Sequence, residues 1–131
     1  MNKIATQAEY DQRYPKYPIE RWKNNVLDAV ESIADRDHQI ANWLREDRPA
    51  WETPGEVVCV LFDDSQFELF LIDCDFSLNA QQRLAGQSLL SRLNHFCDNT
   101  PQSFDPTETL NDPRWEDIQA AARHFIDVFR K

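Results

Sequence analysis

Acidic side chains are concentrated in the middle of this 131-residue sequence and are its first candidates for chemistry. No Lys or Arg lies between Arg48 and Arg83, whereas that interval carries Glu52, Glu56, Asp63, Asp64, Glu68, Asp73 and Asp75. The stretch FDDSQFELFLIDCDF, residues 62–76, places five of these acids among large apolar side chains. Carboxylates in such a cluster could bind a metal ion, transfer protons, or attract a positively charged partner.

The spacing of these acids favours neither a metal site nor an acid–base pair. Hard cations take several oxygen ligands at graded spacing around a sharp glycine turn, and DDSQFE, residues 63–68, has no glycine. Nothing in the pattern predicts the burial that would separate the pKa values of two carboxylates. The histidines His38, His95 and His124 have no second ligand at metal-binding spacing, and no serine lies in a nucleophile motif. We therefore predict no catalytic residue, no metal, no cofactor and no enzymatic activity.

A protein-binding surface is the interpretation that we favour for the acidic stretch. At such interfaces charge steers the encounter, while a few large side chains hold the complex together. Trp51 is a candidate for such a side chain because it lies in the proline-rich connection PAWETPG, residues 49–55. The structural alternative is a solvated edge whose acids serve only the turns. The predicted partner-binding residues are Trp51, Glu52, Asp63, Asp64, Glu68, Asp73 and Asp75.

The overall charge limits the class of partner. A net charge of -9 and a pI near 4.7 oppose direct binding to nucleic acid or to an anionic membrane surface. The longest apolar run, VVCVLF, is far too short to span a bilayer. Three cysteines without a CxxC motif are typical of reduced thiols. We therefore expect a cytoplasmic protein that binds neither nucleic acid nor membrane, and its oligomeric state stays open.

Helical patterns must position most of these residues. A first helix is predicted from Ile19, because apolar residues recur at three- and four-residue steps: Trp22, Val26, Ala29, Val30 and Ile33. A short second helix follows Asp35 as its cap, and a third begins at the capping pair of Asn79 and Gln82. A fourth follows Asp112 and continues to the C-terminus. The chain is predicted to form a single domain, 1–131, with an extended N-terminal arm over 1–18 and a loop over 98–111.

The acidic stretch itself is predicted to form an antiparallel β-hairpin. VVCVLF, residues 57–62, and FELFLI, residues 67–72, are short runs rich in apolar and β-branched side chains, and DDSQ has the length of a hairpin turn. Alternation along the second strand would place Asp73 and Asp75 on one face and Glu68 on the other. The predicted fold class is α+β, mainly helical, with about four helices packed with a short hairpin.

Three short motifs resemble, in the same order, a family of small bacterial proteins of uncharacterised function. The first is an Asp-x-x-x-Q helix that ends in Trp, formed here by Asp35, Gln39 and Trp43. The second is LFDD at 61–64, and the third is DPRW at 112–115. Small, acidic and Trp-rich proteins of this kind also resemble the immunity proteins of contact-dependent growth inhibition. That resemblance implies a one-to-one inhibitor of a toxin domain, commonly a basic nuclease.

The function expected from charge and resemblance is therefore that of an immunity protein. It would bind and neutralise a cognate basic toxin domain, with a nuclease as the first candidate, because a nuclease must present Lys and Arg to bind phosphate. An acidic surface can mimic the charge of that substrate and cover the cleft. The alternatives are a small metal-dependent or carboxylate-using enzyme and a housekeeping adaptor that binds other proteins.

Overall fold

The described part of the chain is helical throughout. A computed structural model describes residues 6–45, 52–100 and 105–130. A π-helical turn, Val60–Asp64, continues the fourth helix, and a 3₁₀ turn, Asp75–Ser77, follows the fifth. The α-helices are α1 (Gln7–Arg13), α2 (Ile19–Ala34), α3 (Arg36–Trp43), α4 (Pro54–Cys59), α5 (Phe67–Asp73), α6 (Ala80–Asp98), α7 (Pro106–Leu110) and α8 (Pro113–Arg130).

Three long helices form the centre of the fold, with α8 packed against both α2 and α6. The stripe predicted for α2 is confirmed, because all of its members are buried: Trp22, Val26, Ala29, Val30 and Ile33. The stripe predicted for α8 is confirmed at its fully buried members: Trp115, Ile118, Ala122 and Phe125. Burying one large apolar side chain contributes roughly 1.5–3 kcal/mol, so these two faces supply much of the stabilisation.

The predicted β-hairpin is wrong, and with it the α+β fold class. Residues 57–62 lie in α4 and the π-helical turn, and residues 67–72 lie in α5. No strand occurs in the three described ranges. Where it is described, the chain is all-helical, and it has more helices than the four that were predicted.

Helix-forming signals outweigh the β-branched composition of this region. Thr53 caps α4 by accepting a hydrogen bond from the backbone N–H of Glu56 at 3.1 Å, and Pro54 occupies the first turn. The buried side chains then recur at three- and four-residue steps, which is a helical period: Pro54, Val57, Val58 and Leu61. The run of valines led to the wrong prediction of a strand, because the β-propensity of a residue is weak and packing overrides it.

The N-terminal arm is helical over α1, so the extended arm predicted over 1–18 is wrong there. Thr6 caps the helix by accepting a hydrogen bond from the backbone N–H of Glu9 at 3.1 Å. Tyr10 is buried, and its hydroxyl donates to the backbone carbonyl of Tyr17 at 2.6 Å. Burial raises the pKa of Tyr10 to about 12, so the hydroxyl remains a donor at neutral pH.

The predicted loop over 98–111 is also partly helical, because it contains α7. Asp105 caps this helix by accepting a hydrogen bond from the backbone N–H of Glu108 at 3.1 Å, and Pro106 follows it. The same Asp-Pro pair precedes α8, where the sequence analysis did use it as a helix start. A short helix with few apolar residues gave no periodic signal of its own.

A buried polar network joins α3 to α2 and α8. Gln39 is fully buried, and its Nε2 donates to the backbone carbonyls of Ser32 and Ile33, at 2.9 Å in each case. Its Oε1 accepts from Trp115 Nε1 at 3.1 Å and from Gln119 Nε2 at 2.8 Å. All the hydrogen-bonding positions of the amide are therefore used, which fixes α3 in one position on the core.

The DPRW motif begins α8, and its residues have structural roles. Asp112 accepts hydrogen bonds from the backbone N–H of Arg114 at 2.9 Å and from its Nη2 at 2.7 Å. These hydrogen bonds lower the pKa of Asp112. The Arg114 guanidinium lies 4.7 Å from the centroid of the Phe96 ring, a cation–π contact, and Trp115 is fully buried.

Replacing Gln39 by Ala should destabilise the protein, because it removes four hydrogen bonds and leaves the partners of the amide buried without a replacement. We expect a loss of about 2–4 kcal/mol in the free energy of unfolding, measured by urea denaturation. The matched control is Gln81→Ala on the exposed side of α6, which should change the stability by less than about 0.5 kcal/mol. Equal losses in the two variants would contradict the role of the network.

Replacing Asp112 by Asn keeps a capping side chain but removes the charge that pairs with Arg114. The folded protein holds the pKa of Asp112 below its ordinary value of 3.8, so the pair stabilises the fold above that pH and ceases to do so as the pH falls through the lowered pKa. At pH 7 the variant should be less stable by about 0.5–1 kcal/mol. The difference should shrink as urea denaturation is repeated from about pH 5 to about pH 3; a constant difference would exclude an effect of the charge.

Candidate functional site

An open groove lies on the outer side of α5 and the π-helical turn. It has a volume of about 470 Å³ and combines acidic, amide and apolar side chains. We call it the acidic groove and define it by its lining residues: Phe62, Asp63, Gln66, Glu68, Leu69 and Ile72. All of these residues belong to the acidic stretch 62–76.

The backbone around the groove departs twice from regular α-helix. The backbone N–H of Ser65 donates to the carbonyl of Val60 at 2.9 Å, which closes the wide π-helical turn. Gln66 then adopts the left-handed conformation, with φ at 46°, although it is not glycine. Such conformations cost free energy and cluster at functional sites. They turn the chain between α4 and α5 and direct the side chains from this turn outward.

The core holds this turn in place. Trp22 Nε1 donates to the backbone carbonyl of Ser65 at 2.7 Å, inside the protein. On the far side of α5, Leu71 packs against Gly86, where an added Cβ would lie 2.6 Å from Leu71 Cδ2. The missing side chain of Gly86 thus allows α5 to lie close to α6. The groove is therefore built on an element that is fixed from two sides.

Two of the predicted contact residues, Asp63 and Glu68, line the groove, and a third, Asp64, follows Asp63 in the same π-helical turn. Asp63, Asp64 and Glu68 are exposed, and their side chains make no hydrogen bond or ion pair with any residue in the described ranges. Ile72 is 51% exposed beside them. The surface therefore offers unneutralised negative charge next to apolar area.

Asp64 lines two further depressions on the same turn, although it does not line the groove itself. One lies against α2 and is lined by Asn25, Asp28, Ala29, Ser32, Val60, Asp64 and Ser65. The other is lined by Tyr14, Tyr17, Trp22, Asp64, Ser65 and Gln66. Among the described residues, no Lys, Arg or His lines any of the three depressions. Asp28 of α2 is exposed and adds a fourth carboxylate to the same side of the molecule.

Asp73 lies inside the protein and not on this surface. Only 1% of the residue is exposed, Arg13 Nη1 donates to its Oδ1 at 2.6 Å, and the Tyr14 hydroxyl donates to its Oδ2 at 3.0 Å. Hydrogen bonding to the Asp73 carboxylate raises the pKa of Arg13. Asp73 therefore holds α1 on the fold and leaves the set of predicted contact residues.

Asp75 and Glu52 are also occupied within the fold. Arg83 Nε donates to Asp75 Oδ1 at 3.0 Å, and Arg83 Nη2 donates to the Asp75 backbone carbonyl at 3.2 Å. Glu52 Oε2 accepts from Trp43 Nε1 at 2.9 Å and lies 3.3 Å from His38 Nε2. Without a strand, Asp73 and Asp75 do not share a sheet face as predicted. Trp51 lies outside the described residues.

The groove also contains residues that the sequence analysis missed. Phe62, Leu69 and Ile72 fell within the two predicted strands without being predicted as contact residues, and Asp28 was not among the candidates. The available signal was the helical period of α5, in which Phe67 and Phe70 face the core, so that Leu69 and Ile72 lie outside it. The contribution of Asp28 had no signal, because α2 and the turn are remote in sequence.

Few of the described residues are candidates for a metal ligand or a catalytic nucleophile. Within 6–45, 52–100 and 105–130, no three side chains of the His, Cys, Asp and Glu types lie close enough to hold a metal ion. Burial raises the pKa of the Cys74 thiol to about 12, and the nearby Asp73 carboxylate raises it as well, so this thiol is a poor nucleophile at neutral pH. In those ranges no helix has the length and apolar character that a membrane span requires.

A family model matches residues 16–130, and its description is a domain of unknown function (DUF7945). No curated protein and no solved structure matches the chain. The matched region contains the whole acidic groove, whereas α1 lies ahead of it.

The different placement of the acids predicts different effects on stability. Asp73→Ala should lower the free energy of unfolding by about 2–3 kcal/mol, because it removes a buried carboxylate that binds Arg13 and Tyr14. Asp63→Ala and Glu68→Ala should change it by less than about 0.5 kcal/mol, since both side chains are exposed and lack partners in the described ranges. Urea denaturation at pH 7 measures both effects, and a large loss in Asp63→Ala would show that this carboxylate serves the fold.

Proposed function

The chain belongs to the DUF7945 family, a domain of unknown function, and we propose that it is a binding protein for a basic protein partner. The contact surface is the acidic groove together with its extension over Asp64, Val60 and Asp28. In this proposal the molecule has no catalytic role, and it acts by covering the partner's positively charged surface.

The observation that supports this proposal most is that the fold pairs some of the acidic side chains with described residues and leaves others exposed. Those that the fold needs are occupied: Arg13 and Tyr14 bind one carboxylate, and Arg83 binds another. Asp63 and Asp64 remain exposed and unneutralised beside apolar side chains. These two carboxylates add self-repulsion to the fold and no hydrogen bond or ion pair with a described residue, so binding explains them better than stability does.

The three sequence motifs also differ in whether the fold uses their residues. Asp35 caps α3, Gln39 fills the buried network, and Asp112 and Arg114 begin α8, so two of the three motifs serve the fold. In LFDD, Leu61 is buried, but the side chains of the two aspartates that follow Phe62 make no hydrogen bond or ion pair with another described residue. LFDD is therefore the motif whose aspartate side chains are available to bind a partner.

The most specific form of the proposal is immunity to a toxin domain in the cytoplasm. A toxin that acts on nucleic acid must carry Lys and Arg in its cleft, and a small protein with a net charge of -9 is suited to cover it. The support comes from the charge, the exposed carboxylates and the resemblance to immunity proteins. A housekeeping adaptor would use the same surface without a toxic partner.

The groove is too small to be the whole interface. Stable protein complexes bury roughly 800 Å² on each partner, so the contact must extend over the depression against α2. That depression supplies Val60, which is 42% exposed, and the carboxylate of Asp28. Apolar area at the centre with charges around it is the usual composition of such a surface.

The partner should be lost when the exposed carboxylates of the groove and of the adjoining Asp64 are neutralised. The triple variant D63N/D64N/E68Q and the wild-type protein are used to capture partners from lysate of the native host, with elution by high salt and identification by mass spectrometry. We expect the wild type to retain a protein with a basic surface, and the variant to retain at least about tenfold less. The matched control E116Q/D117N/D127N removes three exposed charges from α8 and should behave like the wild type.

Kinetics with the captured partner test the role of charge. The association rate constant should fall by about tenfold or more between 50 and 500 mM NaCl, because salt screens the steering potential, while the dissociation rate should change less. Equal capture by the groove variant and the wild type, or an acidic partner, would refute the proposal. Co-expression separates immunity from adaptor function, because only in the first case does the protein rescue growth of cells that make the partner.

A further inference from the structure

We propose that the acidic groove receives a basic amphipathic helix of the partner, with one large apolar side chain of that helix seated between Asp63 and Glu68. The inference rests on the proposed function and deepens it, because it names the recognition element. Its chemistry is an apolar ridge flanked on both sides by Lys or Arg.

The apolar part of the groove is a firm surface. Phe62 and Leu69 are half-buried and pack against the core, while Ile72 is 51% exposed at the edge. The neighbouring residues Phe67 and Phe70 are fully buried and anchor α5. A partner side chain placed here would remove apolar area from water without reorganising the fold, which is how binding hot spots gain affinity.

The carboxylates determine which apolar ligand is accepted. Asp63 and Glu68 lie at the same groove and have no cationic neighbour among the residues that line it. An uncharged apolar side chain alone would desolvate them without compensation, and an acidic ligand would be repelled. A ligand with Lys or Arg beside its apolar residue neutralises both carboxylates while it fills the groove.

The helical form of the ligand follows from the backbone of the surface. Peptides that bind as added strands need an exposed sheet edge, and none occurs in the described ranges. α5 is helical and presents no row of unpaired backbone groups that a strand could join, so the recognition comes from side chains. A helix about 10–12 Å in diameter presents an apolar stripe with flanking basic side chains at i, i+3 and i+4, which matches a shallow, open groove.

The test uses two synthetic 18-residue peptides of identical composition, made of Ala, Leu and Lys. In the first, the leucines form one helical stripe with lysines beside it; in the second, the order is permuted so that no stripe exists. Each is titrated into the ¹⁵N-labelled full-length protein at low salt. We expect amide shifts centred on residues 60–72 with the first peptide, and at least about tenfold weaker binding of the second.

Two matched variants separate the groove from general charge attraction. Ile72→Gln removes the exposed apolar side chain of the groove and should weaken the first peptide about tenfold. Leu84→Gln makes the same change on α6, where Leu84 is 68% exposed, and should leave binding unchanged. Equal binding of both peptides, shifts centred elsewhere, or no effect of Ile72→Gln would overturn the inference.

These results are distinguishable from a failure of the proposed function. If D63N/D64N/E68Q loses the native partner while Ile72→Gln binds the striped peptide normally, the acidic surface binds a partner but not through an apolar ridge. If the striped peptide binds as expected while the triple variant keeps its native partner, the groove is a helix-binding site and the proposed function is wrong.

Discussion

The hydrogen bond from the Trp22 indole to the Ser65 carbonyl is the interaction on which the candidate site depends. It lies inside the core and connects α2 to the turn between the π-helical segment and α5. A buried carbonyl must find a donor, and here the donor comes from a remote helix. With this bond made, the turn keeps its wide π-helical form and the left-handed Gln66, and the two aspartates of LFDD are directed outward.

The parts of the fold that were predictable from sequence are those with local signals. The stripe of α2, the Asn79–Gln82 capping box and the Asp-Pro start of α8 all appear where they were predicted. The hairpin failed because Val57 to Phe62 is rich in β-branched residues, while the cap at Thr53 and the helical period that contradict a strand were not weighed. α1 and α7 were missed because short helices carry few apolar residues.

The acidic character of the candidate site was predictable from the sequence, but the set of residues that form it was not. Six acids from an interval without basic residues were predicted as partner contacts, yet Arg13 reaches Asp73 across 60 positions of the chain. The sequence therefore overstated the unneutralised charge, since Arg13 pairs with Asp73, and Arg83, at the end of the acidic interval, pairs with Asp75. Asp28 shows the opposite case, because only the tertiary structure places it near Asp64.

The bond between Arg13 and Asp73 also bears on where the folding unit begins. The family match starts at residue 16, so both groups that bind this buried carboxylate, Arg13 and Tyr14, come from outside it. A polypeptide started at the family boundary would lack both groups that bind the Asp73 carboxylate, and with them the contacts that hold α1 on the fold. The region that the family model matches therefore begins after residues that the fold of this chain uses.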